Sequence, residues 1–134
     1  MLITRIILIL LFSVLLTSCA QQPNRIGDPA AGKVLFHQTT IDSAPGCTTC
    51  HSTQPEKVIV GPSLAGIANR AGGRVSGQTA EDYLRNSILD PNLYVVDRFS
   101  SGLMYQNYRE VLTDEQINDL IAYLSTLDLQ VVRP

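Results

Sequence analysis

The chain has 134 residues, 45% of them hydrophobic and 16% charged, with a formal net charge of −2. That length holds one domain, and the apolar content excludes a wholly disordered chain. The absence of a basic excess argues against nucleic acid as a partner. The first element is apolar: Arg5 precedes Ile6–Leu16, which reads IILILLFSVLL. A membrane-spanning helix takes about 20 apolar residues, so this run is too short to cross a bilayer. A charged start followed by a short apolar run fits a secretory signal peptide. A buried core helix is the competing reading, but this segment has neither a cap nor a polar face.

Leu16-Thr17-Ser18-Cys19 follows directly. It resembles the lipobox of bacterial lipoproteins, a likeness confined to the first 19 residues. The resemblance implies that Cys19 is lipid-modified and becomes the first mature residue, with residues 1–18 removed. An ordinary signal peptide with Cys19 as a stray thiol is the alternative. Two or more acyl chains hold a protein stably, because each buried CH₂ contributes about 0.8 kcal/mol. Cleavage there removes Arg5 and no acid, so the remainder is more acidic than the whole. The polar stretch Gln21-Gln22-Pro23-Asn24 lies within a short tether, residues 19–27, ahead of a domain over 28–134.

Asp28 is suited to cap a helix that has Pro29 in its first turn and runs to about Gln38. Next comes Cys47-Thr48-Thr49-Cys50-His51. C-x-x-C-H is the attachment signature of c-type haem. Two thiols add to the two vinyl groups of the porphyrin, and the adjoining histidine reaches the iron. Other uses of the cysteines fit less well. A thioredoxin-like pair expects a preceding strand and a βαβ context, whereas Ile41–Gly46 reads as loop. A zinc site needs more ligands at metal spacing. A disulfide between Cys47 and Cys50 closes too small a loop to constrain much.

A short helix is expected over Leu64–Asn69. A third starts at Thr79, with Asp82 in a capping-box position, and stops near Asp90 because Pro91 follows. The last starts at Thr113, with Gln116 completing a capping box. Ile117, Leu120, Ile121 and Leu124 then repeat at helical spacing along one face. Thr39–Ser63 and Pro91–Leu112 read as long, mostly irregular stretches. Loops of that length are uncommon in a compact domain without a function, and wrapping a large apolar cofactor supplies one. Without haem, the mature chain is expected to be largely unfolded.

Together these motifs resemble a class I cytochrome c, over roughly Ile26–Leu127. The likeness rests on the haem motif, on Gly61-Pro62-Ser63-Leu64 with Arg70 after it, and on Met104 in a loop before the last helix. It implies an all-α class I cytochrome c fold of about four helices around one covalent haem c. It implies that Cys47 and Cys50 hold the porphyrin and that the Pro62 carbonyl accepts a hydrogen bond from His51, the proximal iron ligand. It also places Gly32 and Phe36 where the first helix crosses the last, near Leu120 and Tyr123. Met104 is the only methionine beyond Met1 and is the expected second iron ligand. Relatives often have proline after this methionine; this chain has Tyr105. His37 is the rival distal ligand. Arg70, Arg74, Arg98, Tyr105 and Tyr108 are candidates for the haem propionates, with Arg70 foremost.

Six-coordinate iron leaves one-electron transfer as the function and no small-molecule substrate. The expected protein is exported and lipid-anchored at the periplasmic, extracytoplasmic face of a bacterial membrane. Its expected partners are redox proteins, foremost the other subunits of a quinol-oxidising respiratory or photosynthetic complex. A resemblance to the monohaem cytochrome subunit of alternative complex III points the same way. A free tethered shuttle is the alternative, disfavoured by the short tether and by Lys33 and Lys57 being the only lysines. A haem sensor or enzyme would require that Met104 not bind iron. A thiol oxidoreductase would require Cys47 and Cys50 to be free of porphyrin.

Overall fold

The computed structural model describes residues 26–128. The signal segment, Cys19 and most of the tether lie outside the described residues.

Helix α1 covers Pro29–Phe36. The Asp28 side chain accepts from the Ala30 N–H at 2.8 Å, as its cap position requires. A short antiparallel hairpin follows, β1 Thr40–Ile41 and β2 Ala44–Pro45, paired Thr40 to Pro45 and Ile41 to Ala44. Its turn places Asp42 at φ 51°, a left-handed conformation that aspartate tolerates better than most residues. Then come a 3-10 turn, Cys47–Thr49, and helices α2 Ile67–Arg70, α3 Ala80–Leu89, α4 Tyr108–Val111 and α5 Asp114–Leu124. The architecture is all-α with one small hairpin, in line with the expected class.

Both capping boxes form. Thr79 pairs with Asp82 at the start of α3, and Thr113 pairs with Gln116 at the start of α5. Two helix boundaries and two added features differ from the sequence expectation. Helix α1 ends at Phe36, two residues short of Gln38. Helix α2 begins at Ile67 rather than Leu64, because Gly66 takes a left-handed φ of 68°. The hairpin and α4 occupy stretches expected to be irregular.

The core is built on the crossing of α1 and α5. Phe36, Leu120 and Ile121 are its largest fully buried side chains, and the Phe36 and Tyr123 rings meet with centroids 5.3 Å apart. Gly32 is required at the crossing: a Cβ there would lie 1.9 Å from the Asp119 carbonyl oxygen. The Asp28 N–H also donates to the Asp119 carboxylate at 2.7 Å. Among the described residues, no helix is long and apolar enough to cross a membrane.

Candidate functional site

The approach to the site begins at Gly46. Its N–H donates to the Thr39 carbonyl at 2.8 Å, and a Cβ would stand 1.8 Å from the Gln38 carbonyl oxygen. The chain then coils through Cys47–Thr49. The Cys50 and His51 N–H groups both donate to the Cys47 carbonyl, at 3.2 and 2.9 Å. This tight turn brings the two cysteines and the histidine to one wall. Both thiols are unbridged and half-buried. Burial pushes the Cys47 thiol up to about 11, opposite to the depressed value of a nucleophilic redox cysteine.

A second strand of loop locks the histidine. The Val60 and Gly61 N–H groups donate to the Cys50 carbonyl at 3.2 and 2.9 Å. The Leu64 N–H donates to the Ser52 carbonyl at 2.8 Å. Between these contacts, His51 Nδ1 lies 2.8 Å from the Pro62 carbonyl oxygen. A carbonyl only accepts, so Nδ1 carries the proton and the Nε2 lone pair is left available to a metal. Burial lowers the imidazole pKa below its ordinary value and favours that neutral form; the Pro62 bond partly opposes the shift. Gly61 cradles the ring: a Cβ there would lie 2.5 Å from His51 Cε1 and 3.1 Å from Nε2.

Cys47, Cys50, His51, Pro62 and Met104 all line one cavity of about 610 Å³. Among the described residues, none that line it carries a charged side chain. Its walls are mainly apolar, from Phe36, Leu64, Ile67, Leu84, Phe99 and Leu120 among others. A volume of this size, with thiols, a neutral imidazole and a thioether on its walls, fits a large flat apolar group with a soft-ligand metal centre. Val60, Tyr94 and Leu103 both line the cavity and are exposed, so they form its rim. Val58 and Ile59, just before Val60 in the chain, are also exposed apolar residues.

Other candidates fall elsewhere. His37 does not line the cavity; its Nδ1 lies 2.8 Å from the Lys33 carbonyl oxygen and its ring packs near Phe36 and Tyr123. That placement does not support it as a distal ligand. Tyr105 and Tyr108 line the cavity, whereas Arg74 and Arg98 do not. Arg70 has a different neighbourhood from the one expected. It is not on the cavity wall, and its guanidinium donates to the carbonyls of Ser63, at 2.6 Å, and Ala65. It braces the segment that follows Pro62.

Two pairings had no clear sequence signal, although Tyr108 itself was among the propionate candidates. Tyr108 O–H donates to the Pro45 carbonyl at 2.6 Å, tying α4 to the residue two before Cys47. Asn92 and Gln106 join on the Met104 side, with Asn92 Nδ2 donating to Gln106 Oε1 at 2.6 Å. Each pairs residues far apart in sequence, and no local pattern marks them.

The Cytochrome c family matches residues 29–128. Cytochrome c2 of Rhodoblastus acidophilus is 40% identical over 62 residues, covering 46% of this chain and 50% of that protein. The chain thus spans half the length of that relative. Cytochrome c2 of Rhodopseudomonas palustris is 28% identical over 124 residues, covering 75% of this chain and 98% of that protein.

Proposed function

The chain belongs to the cytochrome c family, a one-haem electron-transfer protein and not an enzyme, and we propose that it acts as a membrane-anchored carrier docked within a larger redox complex. Its prosthetic group is haem c, which supplies reversible one-electron chemistry at iron. In this reading Cys47 and Cys50 would hold the porphyrin through two thioethers, each S–H adding across one vinyl C=C with nothing lost. His51 presents Nε2 to the iron, and the Pro62 carbonyl fixes its tautomer and raises its basicity. Met104 would offer its thioether to the iron, and thioether ligation would favour ferrous over ferric iron and raise the reduction potential. Arg70 acts indirectly, holding the Ser63 and Ala65 carbonyls beside Pro62. The observation that carries the reading is the placement of the cysteine pair, a locked histidine and Met104 around one uncharged cavity.

Anchoring follows from Cys19. Lipidation there would hold the domain at the extracytoplasmic face of a bacterial membrane, within reach of quinol-oxidising complexes. The rim favours a fixed subunit over a free shuttle in a respiratory or photosynthetic chain. Val60, Tyr94 and Leu103 are respectively 43%, 37% and 48% exposed. An apolar rim suits a lasting interface better than brief encounters steered by charge.

The test is visible absorption of the protein made in a host that attaches c-type haem. Spectra are taken oxidised, reduced, and reduced under carbon monoxide. A weak far-red sulfur–iron band in the oxidised form, with no carbon monoxide shift, is expected. Ready carbon monoxide binding without that band would move the protein to the sensor or enzyme class. Absence of covalent haem would overturn both. Mass spectrometry of the mature N-terminus checks the anchor, with a diacylated or triacylated Cys19 expected.

A further inference from the structure

We propose that Asn92 is a positioning residue that clamps the Met104 loop and so keeps the thioether on the cavity wall; this rests on the reading of Met104 as an iron ligand. The loop has little regular structure to hold it. Gly102 turns it at φ 77°, and Tyr105, not a stiffening proline, follows the methionine. The Met104 side chain needs a fixed backbone if it is to meet a metal at bonding distance.

The Asn92 amide supplies that fixity with both of its ends. Its Oδ1 accepts from Ser101 Oγ at 2.9 Å and from the Gly102 N–H at 2.7 Å. Its Nδ2 donates to Gln106 Oε1 at 2.6 Å, and Gln106 Nε2 donates to the Met104 carbonyl. One side chain therefore grips the loop ahead of Met104 directly and reaches the Met104 carbonyl through one relay. The grip is anchored on structure that does not depend on the loop. Helix α3 closes at Asp90, whose N–H donates to the Asn86 carbonyl at 2.8 Å, and the following turn is fixed by Leu93 N–H to the Asp90 carbonyl at 3.0 Å. Asn92 sits in that turn.

The chemistry of the amide is specific. Aspartate keeps the acceptors for Ser101 and Gly102 but has no donor for Gln106. Leucine keeps the approximate size and loses every bond. The clamp therefore forms a graded series of three bonds, two bonds and none.

The experiment compares haem-loaded wild type, Asn92→Asp and Asn92→Leu. Four quantities are read: the far-red band, the rate of carbon monoxide binding to ferrous protein, the reduction potential, and hydrogen exchange at the Gly102 amide. Haem attachment and thermal midpoint are recorded for each variant, and all readings are taken well below the lowest midpoint. Losing the clamp should raise the carbon monoxide rate and Gly102 exchange by about tenfold in Asn92→Leu, as expected for the loss of a few exposed hydrogen bonds. The far-red band should weaken and the potential fall, with Asn92→Asp intermediate. Equal bands and equal carbon monoxide rates in all three proteins would overturn the clamp, even if Asn92→Leu melts earlier. A wild type that itself lacks the band would instead overturn the ligand reading of Met104, and the clamp with it.

Discussion

At Gly61 a single hydrogen atom decides where an imidazole can stand. A methyl group there would meet His51 Cε1 at 2.5 Å, well inside contact distance. Either the ring tilts and loses the Pro62 carbonyl, or the 60–62 segment moves. Gly61→Ala should therefore yield a five-coordinate, high-spin population that the parent lacks, readable by electron paramagnetic resonance. A low-spin spectrum identical to the parent would show that the ring has room. Tyr108 makes a different point. Burial, the largest cause, holds its phenol protonated well above the ordinary tyrosine value. The unfolded chain releases that proton near pH 10, while the folded chain keeps it. The stability it contributes is complete below pH 10 and is lost as pH rises beyond it. Tyr108→Phe forfeits the bond to Pro45, a loss of about 1 kcal/mol at neutral pH. It should also flatten the alkaline fall in the guanidinium midpoint between pH 8 and 11. Parallel falls in the two proteins would place that loss on other groups.

The helices carry their own tests. Thr79 caps α3 and accepts from the Asp82 N–H at 3.1 Å. Thr79→Ala should cost about 1 kcal/mol, as cap removals do, measured by denaturant melts. Hydrogen bonds from Thr79 hold the Asp82 carboxyl below its ordinary pKa. The stability from that box is present above about pH 4, the unfolded carboxylate value, and is lost as pH falls through the lower folded one. Thr79→Ala should thus be less sensitive to acid than the parent. These same capping boxes made α3 and α5 legible in the sequence, because a cap and a helical period are local patterns. The Asp28–Pro29 start of α1 was legible for the same reason. The hairpin was not: its strands have two residues each, and its turn uses Asp42-Ser43 instead of a glycine pair. Helix α4 was hidden because it has four residues and no side-chain cap. At the site, Cys47, Cys50 and His51 were visible because they are neighbours in the chain. Asn92 and Gln106 are 14 residues apart across irregular backbone, so only the folded geometry brings them together.

Taken whole, the domain has a centre that its own side chains do not fill. An unfilled cavity costs about 24 cal/mol per Å³ in a protein core. For about 610 Å³ that amounts to on the order of 15 kcal/mol as an upper limit, since an open mouth admits water. The entire stability of a domain is about 5–15 kcal/mol. The fold is therefore expected to depend on its prosthetic group for much of its stability. A Cys47→Ser, Cys50→Ser double variant made without haem should lose most of its far-UV helical signal at 25 °C. Retention of a native-like spectrum and a cooperative melt would show that the chain closes over water at tolerable cost.

The meeting of the first and last helices has a consequence for how the protein is made. Asp28 and Asp119 are bonded across 91 residues of chain. Closing a loop of that length costs about 4 kcal/mol in chain entropy, so contacts at this seam are repaid late and folding is slowed by high contact order. A chain delivered amino end first presents Cys47 and Cys50 on open backbone well before α5 exists to complete the wall. In the closed domain both thiols are half-buried, so they are more accessible to a porphyrin before that wall is complete. Gly32 contributes at that last step: with no Cβ, it lets the Asp119 carbonyl close onto the first helix once α5 has formed.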